Sequence, residues 1–85
     1  MNNIVLVYLK YGVLNQSISV YNIDESTGQL SMLDGVSAPM SDLESTILSL
    51  SKKHKANYIN ILNDKELEKE YIEKYNFKTL EDYYK

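Results

Sequence analysis

The sequence predicts an α+β fold: a mixed, mainly antiparallel sheet of four to five strands with two helices, in the order β-β-β-α-β-α(-β). Three observations predict it. Ile4-Val5-Leu6-Val7-Tyr8-Leu9 is an apolar, β-branched run, and two further strand-like segments follow it across turn-forming residues. Two later stretches repeat their apolar residues at intervals of three and four, each behind a capping signal. Between them, Asn57 to Leu62 alternates Ile59 and Ile61 with Tyr58, Asn60 and Leu62. Helices laid on a sheet are the simplest way to bury both amphipathic stripes.

The first strand is apolar on both parities, which suits a strand inside the sheet with both faces covered. Gly12, with Asn15 and Gln16 nearby, interrupts the pattern before Ser17-Ile18-Ser19-Val20-Tyr21, where Ile18 and Val20 alternate with serines and Ile23 extends the strand. Asp24-Glu25-Ser26-Thr27-Gly28 then supplies turn formers, with Gly28 free to take positive φ, and Gln29 to Leu33 returns as the third strand of a hairpin. Asp34-Gly35 reads as its end. Ser41-Asp42-Leu43-Glu44 has capping-box spacing, so the first helix is expected to start at Ser41. Leu43, Ile47, Leu50 and His54 mark its buried face, and Leu48 widens it. After the fourth strand, Asn63 with Glu66 is a second capping signal, and Leu67, Tyr71 and Tyr75, flanked by Ile72, mark the second helix. Phe77 to Tyr84 reads as a short edge strand or a tail.

The 85 residues are expected to form a single small α+β domain, residues 1–85, near the lower size limit for a chain that buries its own core. With no cysteine, neither a disulfide nor a thiolate metal site is available, and a reducing, cytoplasmic setting is expected. The apolar run Ile4 to Leu9 is too short to span a bilayer, and no basic leader precedes it, so no membrane association is expected. The net charge is −3, and all nine basic residues are lysine. Without arginine the chain lacks the planar fork that reads guanine or clamps phosphate, which disfavours nucleic acid as a partner. Lys52, Lys53 and Lys55 cluster with His54 at a helix C-terminus, where cations complement the macrodipole. Richness in Asn, Ile, Lys and Tyr fits an AT-rich coding sequence, as in low-GC bacteria or their mobile elements.

Two fold families share the element order. RNase H-like enzymes hold divalent cations with carboxylates on their first and fourth strands, and the first strand here has none. The segment Tyr71-Ile72-Glu73-Lys74-Tyr75-Asn76-Phe77 resembles the aromatic-Tyr-Glu-Lys-x-Gly-Phe signature of GNAT-type N-acetyltransferases, with a likeness over about residues 17–84. The resemblance implies a slot for acetyl-CoA where the third and fourth strands splay, near Ser37 and Ile61. It also implies a pyrophosphate-binding helix N-terminus at Ser37 to Glu44 and a tyrosine proton donor. The pyrophosphate position holds Ser37-Ala38-Pro39-Met40-Ser41-Asp42-Leu43-Glu44, which has no glycine, a proline lacking an N–H, and two carboxylates. Ile72 occupies the proton-donor position, and Tyr71, one residue earlier, points about 100° away on the helix. The resemblance thus implies the scaffold without the activity.

No catalytic, metal-ligating or cofactor-binding residue is assigned. His54, the single histidine, is expected to be structural or solvated. Glu66, Glu68, Glu70 and Glu73 make an acidic helix that could present carboxylates to a basic partner. The eight tyrosines suit protein contacts, since each combines apolar area with a polar tip. The leading expectation is a non-catalytic protein-binding module, a mobile-element or phage-type accessory or inhibitor of a host protein. Its candidate contact residues are Glu68, Glu73, Tyr75, Tyr83 and Tyr84. The alternative is a divergent acetyl-CoA-dependent N-acetyltransferase or an acyl-CoA-binding relic. A homodimer is a further expectation, because two short helices cover only one face of a sheet whose first strand is apolar on both.

Overall fold

Alternation of β-branched and aromatic residues with small polar ones makes the first half of the chain a meander. In the computed structural model, which describes residues 3–13, 15–37 and 41–84, β1 (Ile4–Tyr11) pairs antiparallel with β2 (Asn15–Ile23). β2 in turn pairs antiparallel with β3 (Leu30–Ser37). After α1 (Leu43–His54), β4 (Tyr58–Leu62) lies parallel to β1. After α2 (Lys65–Tyr75), the two-residue β5 (Lys78–Thr79) lies parallel to β4 and leads into one helical turn, α3 (Leu80–Tyr83). Among the described residues the sheet has five strands in the order β3-β2-β1-β4-β5, so the apolar β1 is central and the mixed α+β class stands.

Both long helices lie on one face. Leu6, Tyr8, Ile18, Val20, Ile59 and Ile61 from the strands pack there with Ile47 and Leu50 of α1, Tyr71 of α2, and Phe77. These are alternate residues of each strand, as the two-residue strand period requires. Each large aliphatic side chain sealed there contributes on the order of 1.5–3 kcal/mol relative to exposure, so this face carries most of the stability.

The hairpin turn is built as its residues suggest. Asp24 Oδ1 accepts the N–H groups of Ser26 (2.8 Å) and Thr27 (3.2 Å), and Gly28 takes a φ of 75°. β3 does not stop at Asp34-Gly35 but continues to Ser37. A bulge shifts the register between Val20 and Tyr21, and it turns Asp34 toward α1, where the carboxylate accepts from His54 Nε2 (2.9 Å) and Lys53 Nζ (3.3 Å). The carboxylate's other oxygen accepts the N–H of Gly35 at 2.8 Å, and the strand runs on past that pair to Ser37.

Each long helix starts one residue later than its capping signal suggests. Asp42 rather than Ser41 caps α1, accepting the N–H of Ser45 at 3.1 Å, and Asp64 rather than Asn63 caps α2, accepting that of Leu67 at 3.0 Å. Asn63 instead supplies the left-handed turn, φ 69°, that aims the chain out of β4, a conformation asparagine tolerates. Glu44, the expected partner in the capping box, reaches α2, where it accepts from Lys74 Nζ at 2.9 Å and from the Tyr75 hydroxyl.

Residues 78–84 form both a strand and a capped turn: Thr79 Oγ1 accepts the N–H of Asp82 (3.2 Å) while Asp82 accepts that of Thr79 (3.0 Å). β5 extends the sheet edge, and the α3 turn lies across the second face, where Val5, Ile23 and Tyr58 are buried beneath Leu80 and Tyr83.

Candidate functional site

β1 is apolar on both parities, and the helices use one of them. The other parity runs through three rows across the sheet. Val5 is opposite Tyr21 and Tyr58, and Met32 lies beyond Tyr21. Val7 is opposite Ser19 and Asn60, with Gly35 beyond. Leu9 is opposite Ser17 and Leu62, with Ser37 beyond. The α3 turn closes the first row only in part. Tyr83 stands edge-on to Tyr58, ring centroids 5.5 Å apart, and Tyr84 donates its hydroxyl to the Gly28 carbonyl at 2.9 Å, strapping the C-terminus to the hairpin. Burial, then the nearby Glu25 carboxylate, pushes the Tyr83 phenol up in pKa.

The rest of the face stays open. Met32 is 60% exposed, Leu30 41% and Leu62 38%, while Val7 and Leu9 are half-buried. Within β1 to β4 the charged residues are Lys10 and Asp34. Both sit in register with the helix-covered face, since Lys10 shares the parity of Tyr8 and Asp34 is opposite Val20. The β1 to β4 part of the open face is therefore apolar and small-polar, with charge at its β5 side, where Lys78 is opposite Tyr58 and Lys65 and Glu81 border Asn60. A patch of protruding aliphatic groups with charge at its rim has the composition of a protein contact.

The residues singled out from sequence do not gather on one surface. Glu68 is a correction: it is 7% exposed, and its Oε2 accepts the backbone N–H of Ile61 at 2.8 Å, with Lys65 Nζ 3.7 Å from Oε1. β5 pairs β4 only at Tyr58 and Ile59, so the edge of β4 beyond it would be left unpaired, and Glu68 takes the place of the missing strand. It is a structural acceptor, not a carboxylate presented to a partner. Tyr75 is half-buried, packed on Tyr71 and Phe77 and bonded to Glu44, whose carboxyl is held low in pKa by Lys74 first and Tyr75 second. Tyr83 is part of the second apolar cluster, which corrects its placement on an exposed contact surface. Glu73 and Tyr84 are exposed, as are Glu66 and Glu70.

His54 is half-buried against Asp34, whose carboxyl it lowers to about 2, with the N–H of Gly35 and Lys53 adding to the effect. Among the described residues, no group of three or more His, Cys, Asp or Glu side chains could hold a metal ion. No helix of the described residues is long and apolar enough to cross a membrane.

The slot expected between the third and fourth strands is not formed, because β2 and β1 lie between β3 and β4. Tyr71 is 3% exposed in the main core, where burial raises its pKa, so it faces no open slot. Ala38, Pro39 and Met40 of the expected pyrophosphate segment lie outside the described residues. No protein-family model matches the chain, and neither a curated protein nor a solved structure matches it.

Sequence reasoning missed Leu30, Met32 and Leu62 as surface residues. One signal for the open face was present: a strand apolar on both parities in a chain with two amphipathic helices. It points to a second face but not to its edges.

Proposed function

We propose that this chain is a non-catalytic protein-binding module whose contact surface is the part of the sheet face opposite α1 and α2 that α3 leaves open. One observation carries the reading: Met32, Leu30 and Leu62 stand exposed beside Val7 and Leu9 on a face to which β1 to β4 contribute no charge. In its finer form the module is a cytoplasmic accessory or inhibitor, of a mobile-element or phage type, that acts on a host protein. The arginine-free, Asn- and Lys-rich composition supports that setting.

The test is capture from a low-GC bacterial lysate by the wild-type chain and by Met32→Glu and Leu62→Glu. Both variants place a carboxylate on an exposed site and should fold as the wild type does. A specific protein retained by the wild type and lost by both variants supports the reading. Retention by these variants, with loss on Glu73→Lys or Tyr84→Ala, would move the contact to the C-terminal third. No specific partner, together with no self-association, would sink it.

A further inference from the structure

We infer that residues 78–84 are a hinged cover, which lifts from the second face of the sheet while the main core stays folded and so sets how much of the contact surface is available; the inference rests on reading that face as a contact surface.

The two apolar clusters divide the chain directly after Phe77. Phe77 is buried in the main core, and among the described residues no apolar side chain after it packs there. Leu80 and Tyr83 pack instead on Val5, Ile23 and Tyr58 in the second cluster. Lifting the segment gives up the second cluster alone, whereas global unfolding gives up both. An opening that forfeits less burial needs less free energy.

What holds the segment down is short and at the surface. β5 pairs with β4 over two residues, α3 is a single turn, and Tyr84 meets Gly28 through an exposed hydrogen bond. The seat is also not close-packed toward α2, because a cavity of about 150 Å³ lies there, with Leu80, Glu81 and Tyr84 on one side and Lys65 and Glu68 on the other. Glu68 reaches the Ile61 N–H from α2, so that bond outlasts the lifting of β5. The backbone groups released at Tyr58 and Ile59 lie at a sheet edge, where water satisfies them.

Lifting enlarges the apolar surface. Ile23 is opposite Leu30, and Val5 lies in the row of Tyr21 and Met32, so the ground beneath the cover is continuous with side chains already exposed. A partner seated on the whole face needs the lifted form, and its apparent affinity scales with the lifted fraction.

The chain has no cysteine, so a single introduced thiol reports its own exposure. Val5 and Val20 are both 0% exposed, the first in the second cluster and the second in the main core, and a change to cysteine is nearly isosteric at each. In full chains shown by circular dichroism to be folded, Val5→Cys should react with dithionitrobenzoate about tenfold or more faster than Val20→Cys. Its rate should also rise less steeply with urea, because the lifted form exposes less surface than the unfolded one. Adding Ile47→Val, which weakens the main core, should speed Val20→Cys by about fivefold and leave Val5→Cys within about twofold. Adding Thr79→Ala and Tyr84→Phe, which remove the cap and the strap, should speed Val5→Cys by about tenfold.

Equal rates and equal urea slopes for the two thiols overturn the inference, as does a Val5→Cys rate that Ile47→Val raises as much as that of Val20→Cys. Should a cysteine variant not fold, hydrogen exchange in the wild type decides. The Lys78 amide, bonded to the Asn57 carbonyl at 3.0 Å, should exchange with a shallower urea dependence than the slowest β1 amides, and the same dependence overturns the inference. For a protein that the wild type captures, the chain with Thr79→Ala and Tyr84→Phe should show a higher apparent affinity, by up to about tenfold. If it captures no more, or less, the cover does not control the contact, and the inference fails while the contact-surface reading stands. If neither chain captures a protein, that reading fails, and the lifting stands on the thiol rates.

Discussion

Glu68 is the residue whose role depends most on its surroundings. Its carboxylate accepts the Ile61 N–H inside the fold, so truncation strands a buried donor, at a cost on the order of 1–3 kcal/mol. Denaturant unfolding should therefore show Glu68→Ala destabilised by about that much, with Glu68→Gln closer to wild type because its amide oxygen can still accept. Equal stability of the alanine variant would mean that the edge of β4 finds another partner. Asp34 makes a second case through pH. Its native carboxyl, at about 2 against an ordinary 3.8, binds a proton less readily than the unfolded one, so unfolded chains take up protons first as the pH falls. The stabilisation is complete above about pH 4 and is lost as the pH drops through about 2. Unfolding midpoints measured across that window should fall less steeply in Asp34→Asn than in the wild type.

At the scale of elements, the C-terminal turn decides how much of the second face is sealed. α3 is four residues long, too short to persist alone, and it is held by its capping box, by Tyr83 on Tyr58 and by Tyr84 on Gly28. Tyr83→Ala should therefore uncover Val5, Ile23 and Tyr58 and cost about 2–3 kcal/mol, at the low end for a large aromatic because the ring is half-buried. A thermal melt of Tyr83→Ala beside Tyr84→Phe separates packing from the hydroxyl bond, and the phenylalanine variant should lose about 1 kcal/mol or less. An unchanged melt for Tyr83→Ala would return residues 78–84 to the status of a tail.

For the whole molecule, the Cα radius of gyration of 12.2 Å matches the roughly 12 Å of a compact chain of this length. That compactness is achieved with one sheet face closed by helices and the other open beyond α3. The acetyl-CoA slot that the resemblance implies lies between splayed strands, whereas β1 and β4 pair continuously from Val5–Tyr58 to Leu9–Leu62. Acetyl-CoA at about millimolar concentration should accordingly leave the melting temperature unchanged. A ligand present at a hundred times its dissociation constant would add about 2.7 kcal/mol, a shift easily seen in a chain this small.

The kinds of element, their order and the hairpin at Asp24 to Gly28 were legible in the sequence, because hydrophobic period and turn chemistry act over a few neighbouring residues. So was the double-sided character of β1, and with it the presence of a second apolar face. What the tertiary structure decided depends on residues far apart in the chain. Locally, Ser41 and Asp42, or Asn63 and Asp64, are comparable caps; the path out of β4 assigns Asn63 to the left-handed turn and leaves Asp64 to the helix. Glu66, Glu68, Glu70 and Glu73 are equivalent carboxylates on one helix, and only the short β5 beside β4 makes Glu68 the one that is buried. The placement of β1 between β2 and β4 separates the third and fourth strands. Strand pairing is fixed by the joint burial of both helices, a free energy summed over the whole chain that no local window contains.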